Sequence, residues 1–247
     1  MTAVAEDATT GTADAPRDRT LLLSALGVPL GTLAFLGDEL PETAGRIVLT
    51  LTSNGFAWGT AALVAGYLVR RARRAPLVAT ALLLVATTVY YGLILVVSRR
   101  WSGATLEDGS SADVHGLLSI ARAAGFWLLL SVGAGLMFGS LGHFIRNGPR
   151  HRSSAAAGLA FGMLAAEGLY QLSHDYYWPV TNDFVRAIVV SNAVTVVLSL
   201  VVTVVLAASR RARGSWWAYL GSAVAAGGLG TVLWGLVDAV RGTGFGG

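Results

Sequence analysis

The chain has 247 residues, 54% of them hydrophobic and only 13% charged, with a mean hydropathy of +0.61. Soluble domains carry about 25% charged residues, so this shortage of charge excludes disorder, a nucleic-acid module and most water-soluble enzymes. The formal net charge of +4 comes from 18 basic residues, all arginine, in short clusters between apolar runs; that is a membrane pattern, and the absence of cysteine excludes disulfides, thiolate nucleophiles and Cys-type zinc sites.

Residues 1–19 are polar, small and acidic and read as a disordered tail. They lack the basic n-region of a signal peptide, so the first apolar run is expected to stay as an anchor. Seven stretches then reach, or nearly reach, the roughly 20 apolar residues that cross a hydrocarbon core. They are residues 20–37, 47–69, 76–98, 118–142, 154–173, 184–208 and 215–240. The first is short and contains Pro29 beside Gly27, Gly31 and Gly37. The sixth is rich in valine, yet a strand with open edges cannot survive in lipid, so it too is a helix. The predicted architecture is an all-α integral membrane protein of the cell membrane. Its seven-transmembrane-helix bundle fills residues 20–241 as one domain, with a flexible C-terminus at 242–247.

Arginine placement predicts the orientation. Arg17, Arg19, Arg70, Arg71, Arg73, Arg74, Arg146, Arg150, Arg152, Arg210, Arg211 and Arg213 fall on one side of the alternating spans. The other side receives Arg46, Arg99, Arg100, Arg122, Arg186 and Arg241. The richer side is cytoplasmic, which puts the N-terminus inside and the C-terminus outside. Beyond the tail, every Asp and Glu falls in the outer half or the outer loops.

The intramembrane polar groups gather in that outer half: Thr52, Ser53, Asn54 and Trp58 on span two, Tyr90 and Tyr91 on span three, and His115 and Arg122 on span four. Glu167, Tyr170 and His174 follow on span five, Asp183, Arg186 and Asn192 on span six, and Trp234 and Asp238 on span seven. Glu167 stands out. An acid at that depth costs roughly 2.5–3.5 kcal/mol and is a functional-site hypothesis by default. Tyr170 and His174, at i+3 and i+7, share its helical face. The competing reading is a Glu167–Arg pair with Arg122 or Arg186 that only locks helices together. Asp238 with Trp234 repeats the pattern near the headgroup level, and Asn54 with Trp58 reads more simply as interhelical glue. Arg122 can snorkel or meet an anionic group. No His or acid spacing suits a metal, and no cofactor motif is present. The pairs Gly27/Gly31, Gly135/Gly139 and Gly158/Gly162 have GxxxG spacing and predict close helix packing. HDYYWP at 174–179 reads as an interfacial aromatic belt.

The segments LTSNGFAWGTAALVAGYLVRR (51–71), VYYG (89–92), FGSLGHFIRNG (138–148) and AAEGLYQL (165–172) resemble an uncharacterised family of small actinobacterial multipass membrane proteins, a domain of unknown function. The resemblance covers roughly residues 25–240 and implies a shared multi-span fold that includes Glu167. A looser likeness is to the seven-span membrane terpenoid cyclases, which protonate an epoxide or alkene. That likeness implies an acid in the last span, matched by Asp238, and one in the second span. Span two has no acid here, so Glu167 would supply that role from span five.

The expected function is therefore acid-catalysed cyclisation or isomerisation of a lipophilic, prenylated or terpenoid substrate. Glu167 and Asp238 are its candidate catalytic acids; Asn54, Trp58, Tyr90, Tyr91, Arg122, Tyr170, His174 and Trp234 would bind substrate, with the aromatic rings stabilising a carbocation. The expected partners are membrane lipid and a lipophilic small molecule, with no nucleic acid, metal or cofactor. The alternatives are a structural or accessory membrane protein and a small proton-coupled transporter. No inverted repeat supports the transporter.

Overall fold

A computed structural model describes residues 15–37, 40, 55–99, 101–105, 108–174, 183–209 and 214–242, without the side chains of 15–19, 174, 183–185 and 241. The proposed tail at 1–14, Thr52, Ser53, Asn54, the side chain of His174, the rest of the 174–179 belt and residues 243–247 lie outside the described residues.

The described chain is helical: α1 (Ala15–Ala25), α2 (Gly27–Gly37), α3 (Gly55–Leu68), α4 (Arg74–Leu93), a π-turn at Ile94–Ser98, α5 (Asp113–Asn147), α6 (Arg150–His174), α7 (Asp183–Ala208) and α8 (Trp216–Gly242). Among the described residues no strand forms; Thr105 and Ser111 make an isolated bridge in the loop before α5. Helix α1 begins at Ala15, inside the stretch expected to be a disordered tail. Only Leu26 separates it from α2. Pro29 has no N–H to give the Ala25 carbonyl, while Leu26 still donates to Leu22 at 3.2 Å and Leu30 to Leu26 at 3.4 Å.

Five helical stretches are long and apolar enough to cross a membrane: Thr20–Gly37, Arg74–Ser98, Asp113–Asn147, Arg186–Ala208 and Trp216–Val240. Two others differ from these for opposite reasons. Helix α3 is apolar but has 14 residues, about 21 Å at 1.5 Å per residue. Helix α6 has 25 residues, length enough, but it carries Arg150, Arg152 and Glu167. Its alanine-rich face is buried at Ala156, Ala157, Ala160, Ala165 and Ala166. It can tolerate polar residues because much of it faces protein.

Helix α6 packs on α8 and α7, while α5 packs on α4 and α3 and α2 lies against α4. Helices α3 and α5 join the two groups through contacts with α6. Glycine permits the closest crossings. A side chain on Gly66 of α3 would strike the Gly139 backbone of α5, and one on Gly142 would strike the Leu63 carbonyl. Gly158 and Gly162 of α6 meet Tyr219 and Ala223 of α8 in the same way, and Gly27 and Gly31 of α2 meet Leu82 and Ala86 of α4. All three GxxxG pairs are thus used within the chain.

Leu63, Leu83 and Ile145 are fully buried at the centre. The outside is apolar too: Trp217 is 85%, Val224 76% and Leu129 72% exposed. Several buried hydroxyls are bonded between or along helices, as in Thr87–Ser131 at 2.8 Å and Thr203–Tyr219 at 3.1 Å, whereas those of Thr60 and Thr80 are buried without a hydrogen-bond partner among the described residues. The loop before α5 is held by its own polar groups. Gly103 N–H donates to Asp113 Oδ1 at 3.0 Å. The hydroxyl and the N–H of Ser110 both donate to Asp108, holding that carboxyl below its usual range.

Candidate functional site

A cavity of about 630 Å³ lies between α2, α3, α4, α5, α6 and α8. That is within the roughly 300–1,000 Å³ range of small-molecule sites. Trp58 from α3, Tyr90 and Tyr91 from α4, Trp127 and Phe138 from α5, and Trp234 from α8 bring aromatic rings to its wall. Leu83, Met137, Met163 and Leu164 supply aliphatic and thioether surface. Thr87 and Ser131 also line it, but their hydroxyls bond each other. Among the described lining residues Glu167 is the only charged side chain.

Glu167 is held by the start of α3. Its Oε2 accepts the Gly55 N–H at 2.7 Å. The first N–H groups of a helix have no partner within it, and their partial positive charge favours an anion there. Gly55 is also pinched. A Cβ at that position would lie 3.3 Å from Glu167 Oε2 and 3.3 Å from Trp234 Cζ2. Glycine therefore lets acid, helix start and indole converge at one corner of the cavity.

The other end of α3 is held by basic and polar groups of α5. Arg146 Nη1 donates to the carbonyls of Tyr67 at 3.1 Å and Leu68 at 3.4 Å, and its guanidinium lies 5.4 Å from the Tyr67 ring centre. His143 Nδ1 lies 3.2 Å from the Val69 carbonyl. The short helix thus has a carboxyl group at its N-terminus and a guanidinium at its C-terminus, the order its dipole favours.

The residues singled out from the sequence divide into groups. Glu167, Trp58, Tyr90, Tyr91 and Trp234 come together on the cavity. Asp238 does not join them. It is exposed and accepts a long hydrogen bond, 3.4 Å, from the Tyr170 hydroxyl, so the two form a pair outside the cavity lining. Arg122 is exposed, although its neighbour Ala123 lines the cavity. Trp127, Met137, Met163 and the Gly55 amide were not singled out. Trp127 carried the only usable signal, being a further aromatic residue on span four.

The arrangement offers an apolar, ring-lined chamber with one carboxyl group able to exchange a proton or face a cation. Among the described residues no three His, Asp or Glu side chains are placed to hold a metal ion. No protein-family model matches the chain, and neither a curated protein nor a solved structure matches it.

Proposed function

We propose that the protein is a multi-pass protein of the cell membrane, crossing it seven times with the N-terminus cytoplasmic, and that it carries out proton chemistry on a lipophilic substrate in the cavity beside Glu167. The five long apolar helices and the apolar exterior support the membrane reading, and the arginine bias supports the orientation. The site reading rests on one observation: among the described residues, Glu167 is the single charged side chain lining an aromatic cavity of about 630 Å³.

The reaction this suits best is isomerisation or cyclisation of a prenylated or terpenoid alkene. The acid form of Glu167 carries the proton, and its Oε2 accepts the Gly55 amide. That proton adds to the alkene and leaves a carbocation facing a carboxylate. The rings of Trp58, Tyr90, Tyr91 and Trp234 stabilise the cation electrostatically. Loss of a different proton to Glu167 gives an isomer and restores the acid, with no co-reactant consumed. Asp238, outside the cavity lining, is a weaker candidate for the second acid than its position in the last span suggested.

The 2.7 Å bond from Gly55 favours a second reading, in which Glu167 only fixes the start of α3. Glu167→Gln separates the two, because an amide oxygen still accepts the N–H but the side chain no longer delivers a proton. Membranes containing the wild type are expected to convert a component of a prenylated lipid pool, followed by mass spectrometry. The variant should insert normally and convert none. Full conversion by the variant would remove Glu167 as the acid and leave the structural reading.

A further inference from the structure

The cavity is bounded on one side by α5 and on the other by α8, and these two helices belong to different packing groups. Helix α5 lies on α3 and α4, while α8 lies on α6; the described residues place no substantial α5–α8 interface between them. Two residues that line the cavity, one on each of these helices, are also exposed. Leu129 of α5 is 72% exposed and Leu233 of α8 is 42% exposed. Each lines the inside and also faces outward, so the cavity reaches the surface of the bundle between them.

The surface around that opening is apolar. On α5, Val132 and Leu136 are exposed beside Leu129; on α8, Leu229, Val232 and Leu236 are exposed beside Leu233. Both helices are among those long and apolar enough to cross a membrane. An opening framed by leucine and valine on such helices faces hydrocarbon, because contiguous exposed apolar surface of this kind marks a membrane or partner contact.

We infer that the cavity is loaded sideways from the bilayer, through the α5–α8 gap between Leu129 and Leu233, by a lipid-dissolved long-chain molecule. This rests on the reading of the cavity as a site for a lipophilic substrate. The head of that molecule lies in the cavity with Glu167. Its chain trails back through the gap, so the length of the tail is not limited by the cavity volume.

The chain has no cysteine, so the gap can be closed by a defined bridge. The full chain carrying Leu129→Cys and Leu233→Cys is reconstituted in nanodiscs and treated with flexible bis-maleimides of graded length. The probe is a long-chain alcohol bearing a diazirine, and labelled residues are located by mass spectrometry after irradiation. Wild type and the uncrosslinked double variant should be labelled at Met137, Met163 and Trp234. Bridging should reduce that labelling at least tenfold, while each single variant capped with a monomaleimide keeps most of it. Leu129→Trp with Leu233→Trp, which narrows the gap without a bridge, should lower labelling in the same direction. Cavity labelling that persists with the gap bridged would overturn lateral loading but leave the lipophilic site standing. Absence of cavity labelling in every form would overturn both the route and the lipophilic site.

Discussion

Replacing Glu167 with alanine and, separately, with glutamine tests what its carboxyl group does for the fold. Alanine leaves the Gly55 N–H without the acceptor it has at 2.7 Å, at a cost of about 1–3 kcal/mol. It also removes the acid from the helix N-terminus, about 0.3–1 kcal/mol more if ionised. Opposing this, an acid within a span costs roughly 2.5–3.5 kcal/mol to place there, so the absolute effect of alanine is a difference of similar terms. The comparison between glutamine and alanine is cleaner, because both are neutral and only glutamine keeps an acceptor. Alanine should be less stable than glutamine by about 1–3 kcal/mol, which corresponds to about 2–12 °C in Tm for a chain of this size. Thermal unfolding in nanodiscs measures the difference, and hydrogen exchange localises it. The amides at the start of α3 should exchange faster in the alanine variant, whereas Arg146→Ala should loosen the Tyr67–Leu68 end. Equal melting of the alanine and glutamine variants, with unchanged exchange at Gly55–Gly59, would refute the idea that Glu167 seats this helix.

Two further outcomes follow from packing. Gly66→Ala should destabilise the protein by at least about 1–3 kcal/mol, because its methyl group meets the Gly139 backbone and no rotamer can avoid it; a melting temperature equal to wild type would contradict the α3–α5 crossing. Thr87→Val removes the 2.8 Å bond to Ser131 and should cost about 0.6 kcal/mol, with about 1.7 as the upper range for such interhelical bonds, measured by a double-mutant cycle with Ser131→Ala.

The helices were legible in the sequence because a long run without charge has few other stable forms. Expected and observed boundaries for the later helices differ by a few residues, as at 184–208 against Asp183–Ala208. The start of α1 was missed because polar residues around Pro16 resemble a tail, although proline is well suited to the first turn of a helix. Glu167 was legible because an acid in an apolar run has an evident energetic penalty. The same reasoning overvalued Asp238. Trp234 lines the cavity, but one turn further along α8 Asp238 is exposed beside Tyr170. Met137 and Met163 carry no sign in the sequence, since within an apolar helix a cavity-lining residue looks like a packed one. The Gly55 amide is invisible for a deeper reason: every residue but proline has such a donor, and only the fold decides which ones lack a helical partner.

The two clamps on α3 also set an order of events during synthesis. Gly55 is 112 residues ahead of Glu167, and Tyr67 is 79 ahead of Arg146. At roughly 5–20 residues per second, the helix leaves the ribosome about 6–22 s before the carboxyl group that receives its first amide. The C-terminal carbonyls gain their arginine earlier than the N-terminus gains its acid. Throughout that interval the helix is short, and its ends must be satisfied by water, lipid headgroups or the insertion machinery. Arrival of the α5–α6 hairpin, with Arg146 and Glu167 on its two arms, is therefore the step that seats α3 and completes one wall of the cavity.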